Sequence, residues 1–266
     1  TKDAITFLKL ITQQYDVATA NPPYTDSGDF GPDLKKFVET NYKKPYDTYK
    51  NLYACFIQRL NQLLDDSGKI AMVTPMTFMF TARFEETRKL ILSKYQIQLF
   101  VQYGFGGMFS ESVDPAFYVL DKMKTDDSTI ANFIKLDGYF DDNKKEVLKQ
   151  CYSDFIEDKT NKHNFSIPQK YLFEIKSSPF IYWISTDFRE KFSNSTFEDN
   201  MKVCQGLATG DNSRFLRFWW ELDDREKGNT EWTQYAKGGS FNKWAGNLWL
   251  KVNWKNDGFK IKNFKD

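Results

Sequence analysis

Apolar positions follow helical and strand periods through the first half of the chain and lose that regularity in the second. Phe7, Leu8 and Ile11 suit a short helix over 6–14, and Tyr15-Asp16-Val17-Ala18-Thr19-Ala20 reads as a short strand running into a Pro-Pro turn. The stretch from Asp26 to Pro45, rich in Gly, Asp and Lys, is expected to be a long loop. Tyr49, Leu52, Tyr53, Phe56, Ile57, Leu60 and Leu64 then repeat with a helical period, which Asp65-Asp66-Ser67-Gly68 ends. Ile70 to Thr74 is a continuous apolar run of buried-strand type. A second helix is expected from Ala82 to Ser93, carrying Glu85 and Lys89 as an i,i+4 pair. Ile97 to Tyr103 and Ala116 to Leu120 read as strands on either side of Gly104-Phe105-Gly106-Gly107. This order of strands and helices predicts an α/β layer with a largely parallel sheet. Past Thr125 one more strand (Ala131 to Leu136) and one more helix (Asp142 to Ile156, with Val147, Cys151 and Phe155 on one face) are expected. Lys159 to Asn164 is a polar connector, and the chain turns irregular after Met201.

Composition narrows the function classes. The 266 residues carry a net charge of +1, so nucleic-acid contact has to come from local patches. No apolar run approaches the roughly 18 to 20 residues that span a bilayer, and no signal peptide is visible, so no membrane partner is expected. Cys55, Cys151 and Cys204 are odd in number and far apart, which fits reduced thiols in a cytoplasmic protein. With one histidine, His163, in an Asn/Lys-rich setting, and no Cys-x-x-Cys, a metal site is not expected. Aromatic residues are 17% of the chain. Most fill core; a few could serve as base-stacking platforms. From Gln234 onward seven lysines face two aspartates, interleaved with Tyr235, Phe241, Trp244, Trp249, Trp254, Phe259 and Phe264. That mixture fits a surface following phosphates. It equally fits a small β-rich subdomain with a Trp core and a lysine exterior. The latter suits the rings better, and DNA contact suits some of the lysines.

The candidate chemistry lies in Asn21-Pro22-Pro23-Tyr24. An exocyclic amine on an aromatic ring is a poor nucleophile because its lone pair is delocalised. A site activates it by accepting both N–H hydrogens and holding the nitrogen in line with an electrophilic methyl. Asn21 offers a side-chain carbonyl, Pro22 a backbone carbonyl, the two prolines stiffness, and Tyr24 a ring to lie on a base. No strong base is required. A fixed four-residue string arises by chance in a chain of this length in well under about 1% of cases. The plain alternative is a Pro-Pro turn after a strand. The motif's place at the carboxyl end of a strand in an α/β pattern, where ligands bind, favours the functional reading.

In these residues the chain resembles the adenine-specific (N6) DNA methyltransferases, with its closest likeness to those of BREX-type phage defence and of fused restriction-modification enzymes. Asn21-Pro22-Pro23-Tyr24 matches the family's catalytic motif. Asn51-Leu52-Tyr53 with Phe56-Ile57 looks like the following helix, used beside the cofactor. Ser67 to Pro75 is similar to its next strand, and Gly107-Met108-Phe109 with Ala116-Phe117-Tyr118 resembles the motif whose phenylalanine stacks on the flipped base. Gln205 to Asn212, Arg214-Phe215-Leu216-Arg217 and Lys237 to Trp244 also look like this family. The resemblance implies the C-terminal half of a Rossmann-like class I methyltransferase sheet (1–136), a connecting α+β segment (137–200) and the start of a target-recognition domain (201–266). It implies S-adenosylmethionine as cofactor, double-stranded DNA as partner, and other defence or restriction subunits beside it. Asn21, Pro22, Pro23 and Tyr24 would be catalytic, Tyr24 and Phe109 would stack on the base, and Asn51, Leu52 and Tyr53 would lie by the cofactor. Arg214, Arg217, Lys237 and Lys243 would meet DNA.

One departure stands out. The family holds the methionine end of the cofactor in a Gly-rich loop, and nothing before Asn21 can be that loop. Gly104-Phe105-Gly106 lies where the family has its base-stacking turn and is not followed by a helix start. The chain is therefore expected to be a fragment, inactive alone. Other readings are a protein-glutamine methyltransferase, which can use the same turn on a side-chain amide, and a non-catalytic DNA- or partner-binding piece. Asn rather than Ser at position 21 favours adenine N6 over cytosine N4 by resemblance. Pro32-Asp33 with Glu157-Asp158-Lys159 mimics a nuclease pattern only superficially.

Overall fold

The computed structural model describes residues 2–105, 113–138, 143–202, 206–222 and 231–264. They fall into two compact units, Thr1–Thr196 and Phe197–Asp266.

The first unit begins with α1 (Lys2–Thr12) and β1 (Tyr15–Ala20). The segment expected as a loop contains α2 (Pro32–Tyr42). Its signal is local: Gly31 caps it, Pro32 starts it, and Val38 turns inward against Phe30 and Cys55. The lysines around Val38 dilute the apolar spacing that would have marked it. α3 (Leu52–Leu63) is followed directly by β2 (Leu64–Pro75), then α4 (Glu85–Lys94) and β3 (Tyr95–Gln102). Lys89 bonds Glu85 at 2.9 Å as its spacing predicts. β4 (Pro115–Lys122), β5 (Ile130–Lys135), α5 (Lys144–Ile156) and β6 (Asn164–Pro168) complete the layer.

The six strands lie in the order β1-β2-β4-β3-β5-β6. β1 and β2 are parallel, β3 and β5 are parallel, and β4 runs against both β2 and β3. β6 is antiparallel to β5, so β1, β2, β3 and β5 share one direction, and β4 and β6 run against them. β6 escapes the sequence pattern because Asn164-Phe165-Ser166-Ile167 offers only two apolar residues at a sheet edge.

Alternation along the strands sends Ile70, Met72, Ile97, Phe100, Tyr118, Leu120 and Phe133 to one face. There Tyr53, Ala54 and Ile57 of α3 and Leu90 and Ile91 of α4 close the main core. On the other face α5 brings Cys151, Val147 and Leu148 onto Val101, Ile134 and Leu136. Over β1, β2 and β4 that second face carries the exposed Val17 (59%) and the half-buried Val73, Phe117 and Val119. Among the described residues no helix is long and apolar enough to cross a membrane.

In the second unit a three-stranded antiparallel sheet, β7 (Leu216–Phe218), β9 (Leu250–Asn253) and β8 (Trp232–Tyr235) in that spatial order, packs Phe215, Leu216, Leu250, Val252 and Ile261 together. Tyr235, Trp254 and Phe264 lean on this core, whereas Phe241 and Trp244 are 89% and 90% exposed. The rings of the tail thus divide between core and surface.

Candidate active site

The parallel β1 and β2 deliver their carboxyl ends to one rim of the sheet, Ala20 beside Met72, and β4 starts at the same rim with Pro115 opposite Pro75. Asn21-Pro22-Pro23-Tyr24 leaves β1 at this rim. Pro22 is buried, Asn21 and Pro23 are exposed, and Tyr24 is half-buried against the main core. The stiff Pro-Pro step turns the chain so that Tyr24 folds back: its hydroxyl donates to Asn21 Oδ1 at 2.8 Å and lies 3.4 Å from the Val73 carbonyl. Burial pushes the Tyr24 hydroxyl above its ordinary pKa, so it stays a donor at neutral pH. Asn21 presents its amide oxygen to that hydroxyl. Stacking alone would assign Tyr24 only a ring; this bond gives the hydroxyl a second role.

The chain beyond Tyr24 is strapped to α3. Asn51 Nδ2 donates to the Tyr24 carbonyl at 3.2 Å, the Leu52 amide donates to Thr25 O at 3.1 Å, and Asp26 and Asn51 form an isolated antiparallel bridge. Asn51 also caps α3, its Oδ1 accepting from the Tyr53 amide at 3.2 Å. Arg83 pairs with Asp26 at 2.9 Å and donates to Lys50 O at 3.2 Å, tying in the turn before α4. Sequence reading missed this frame, although an Asn directly before a helical apolar run is a capping signal that could have marked it.

Of the residues implied to lie by the cofactor, Asn51 is 5% exposed with its amide engaged as above, and Tyr53 is buried between Phe78 and Phe84. A groove of about 490 Å³ runs along the uncovered sheet face up to Asn21, lined by Thr19, Ala71, Val73, Leu99, Phe117 and Val119. Phe109, Gly107 and Gly106 lie outside the described residues. Gly104 has a backbone reason to be glycine: its φ is +72°, and a Cβ there would sit 2.7 Å from Asp137 Cα.

Within the second unit, Arg217 and Lys237 line one groove of about 520 Å³ with Phe218, Glu221 and Trp249. Arg214 lies over the Phe215 and Phe264 rings, and the Lys243 ammonium is 5.5 Å from the Trp244 ring centre. Asp33 stands in the first turn of α2, whereas Glu157 and Asp158 follow α5. Among the described residues no group of three or more His, Cys, Asp or Glu is gathered that could hold a metal.

Residues 2–109 match the family of Eco57I restriction-modification methylases. The chain is 29% identical, over 96% of its length, to the adenine-specific methyltransferase PglX of Lacticaseibacillus casei, and 28% identical, again over 96%, to the adenine-specific methyltransferase BrxX of Escherichia coli. It spans about a fifth of these curated relatives, 22% and 21% of their lengths. Among solved structures it overlaps the type I restriction-modification methyltransferase subunit of Streptococcus thermophilus with a TM-score of 0.46 and 16% identity, over 61% of this chain and 36% of that one. The chain is thus similar over most of its length to the adenine-specific methyltransferases PglX and BrxX, and its residues 2–109 match the model of the Eco57I restriction-modification methylases.

Proposed function

We propose that the full-length protein transfers a methyl group from S-adenosylmethionine to N6 of an adenine flipped out of double-stranded DNA, in phage defence or restriction-modification in the cytoplasm. The observation that carries this reading is the Asn21–Tyr24 turn at the carboxyl rim of the sheet, with Asn21 Oδ1 presented at an exposed position. Asn21 Oδ1 and the Pro22 carbonyl accept the two amine hydrogens and draw the nitrogen toward tetrahedral geometry. Tyr24 carries the extruded ring and orients Asn21.

The described residues fit the acceptor side of such a site. The groove reaching Asn21 is lined by apolar groups with Thr19 and Asn21, and among the described residues its lining holds no glycine turn and no acidic side chain for the donor's sugar hydroxyls. When bound, the cofactor would supply an electrophilic methyl group. In the second unit Arg217 and Lys237, beside Trp249, suit contacts to phosphate and sugar. PglX and BrxX belong by name to adenine-specific methylation, which supports adenine over other amines.

Base extraction costs a few kcal/mol, and ring contact returns about 1–3 kcal/mol per base. Tyr24→Ala and Phe109→Ala in the full-length protein should each slow methylation of a matched duplex. The loss should be smaller when the target adenine faces a mismatch. Tyr24→Phe keeps the ring but removes the bond to Asn21 Oδ1. One neutral hydrogen bond is worth about 0.5–1.5 kcal/mol, so a 2- to 10-fold fall in kcat is expected, about equal on both duplexes. Methylation rates of matched and mismatched duplexes check all three variants. Equal losses for Tyr24→Ala on both duplexes would remove the stacking role.

A further inference from the structure

Asn51 is 5% exposed, at the first step of α3, 27 residues beyond Tyr24 in sequence. An amide side chain has one accepting and one donating end, and both ends here have fixed partners. The Tyr53 N–H can only face Oδ1, and the Tyr24 carbonyl can only face Nδ2, so the amide has a single workable orientation. Behind it α3 is set by Tyr53, Ala54 and Ile57, each no more than 1% exposed in the main core. Of these three links to α3, the Nδ2 bond is the one that reaches the Asn-Pro-Pro-Tyr turn itself; Leu52 and the Asp26 bridge hold the residues after it. Tyr24 is thereby held at its carbonyl by Asn51 and at its hydroxyl by Asn21 Oδ1, with Val73 O nearby as a second acceptor.

We propose that Asn51 is a positioning residue for methyl transfer: it locks the backbone of Tyr24 to the rigid N-terminus of α3, which sets the ring and, through the hydroxyl, the aim of the Asn21 carbonyl. This rests on the reading of Asn21 and Tyr24 as the amine-binding pair. It differs from a role beside the cofactor, because each end of the Asn51 amide already has a partner inside the protein.

Asn51→Asp separates positioning from capping. Aspartate caps a helix as well as asparagine does and keeps the shape, but as a carboxylate, the form assayed well above neutral pH, it has no hydrogen to give the Tyr24 carbonyl. In the full-length protein Asn51→Asp should lower kcat about 10- to 100-fold, the order expected when reacting groups are displaced by a fraction of an ångström to an ångström. KM for DNA and for S-adenosylmethionine should stay within about threefold, as befits groups that act after binding. Amide hydrogen exchange followed by mass spectrometry should be faster in peptides covering 21–27 and unchanged in the interior of α3. Wild-type kcat with wild-type exchange would overturn the proposal, since the cap alone would then explain Asn51. A raised KM for S-adenosylmethionine at unchanged kcat would also overturn it, in favour of a cofactor contact. If the wild-type protein does not methylate adenine, the proposed function fails, and the exchange measurement still decides whether Asn51 holds the turn.

Discussion

Asn21→Ala in the full-length protein is expected to lower methyl transfer to adenine about 100- to 1000-fold, the usual loss when one preset partner for developing charge is removed. The fold should survive. Asn21 is exposed, and the described bond to its side chain comes from the Tyr24 hydroxyl, which keeps the Val73 carbonyl nearby as an alternative. Stability should therefore change by no more than about 0.5 kcal/mol. Initial rates of labelled-methyl incorporation, with a melting curve of the same preparation, check both halves. A variant that keeps its rate to within a few-fold would remove Asn21 from the chemistry, and one that melts far below wild type would make the rate uninterpretable as chemistry.

Arg88→Ala should give the largest loss of stability. Arg88 projects from α4 into the protein and is fully buried. Its guanidinium donates to the carbonyls of Phe78 (2.6 Å), Thr81 (2.7 Å), Ser177 (2.6 Å) and Ser178 (3.0 Å). Burial lowers its pKa, yet a guanidinium remains charged in a protein, so these carbonyl dipoles are what make the buried cation tolerable. They also pin the turn after β2 and the pair Ser177 and Ser178, both held at positive φ (67° and 49°). Alanine would leave the four carbonyls without this donor and open a cavity, a loss of about 3–5 kcal/mol. Arg88→Lys keeps the charge but cannot fork to four carbonyls, so it should fall between. Urea unfolding of the first unit's signal measures this. A loss under about 1 kcal/mol for Arg88→Ala would mean that the carbonyls find water or other donors.

The sequence makes β1 to β5, α3 and α4 legible because their apolar residues repeat with clean periods. It makes the proposed catalytic turn legible because Asn21-Pro22-Pro23-Tyr24 is contiguous. α2 is hidden by its lysines, and β6 by its brevity at the sheet edge. The reversed direction of β4 cannot be read from a run such as Ala116 to Leu120, since a buried strand looks alike in either direction. Three parts of the site depend on contacts between distant residues: the Asn51 strap on Tyr24, the Arg83 pair with Asp26, and the Arg88 clamp on Ser177 and Ser178. An arginine within a Glu- and Lys-rich helix such as α4 reads from sequence as solvated, and only packing shows otherwise. The aromatic tail is a middle case. Its β-rich character follows from composition, but which rings enter the core follows from the pairing of β9 with β7 and β8.

The central claim concerns which atom receives the methyl group, and one measurement reads it directly. Full-length protein is incubated with DNA and methyl-labelled S-adenosylmethionine, the DNA is digested to nucleosides, and the label is followed by chromatography beside the Asn21→Ala variant. The predicted result is label in N6-methyldeoxyadenosine for the wild-type protein and at least a hundredfold less for the variant. Label in N4-methyldeoxycytidine, label confined to a protein glutamine, or equal label from both proteins would contradict it.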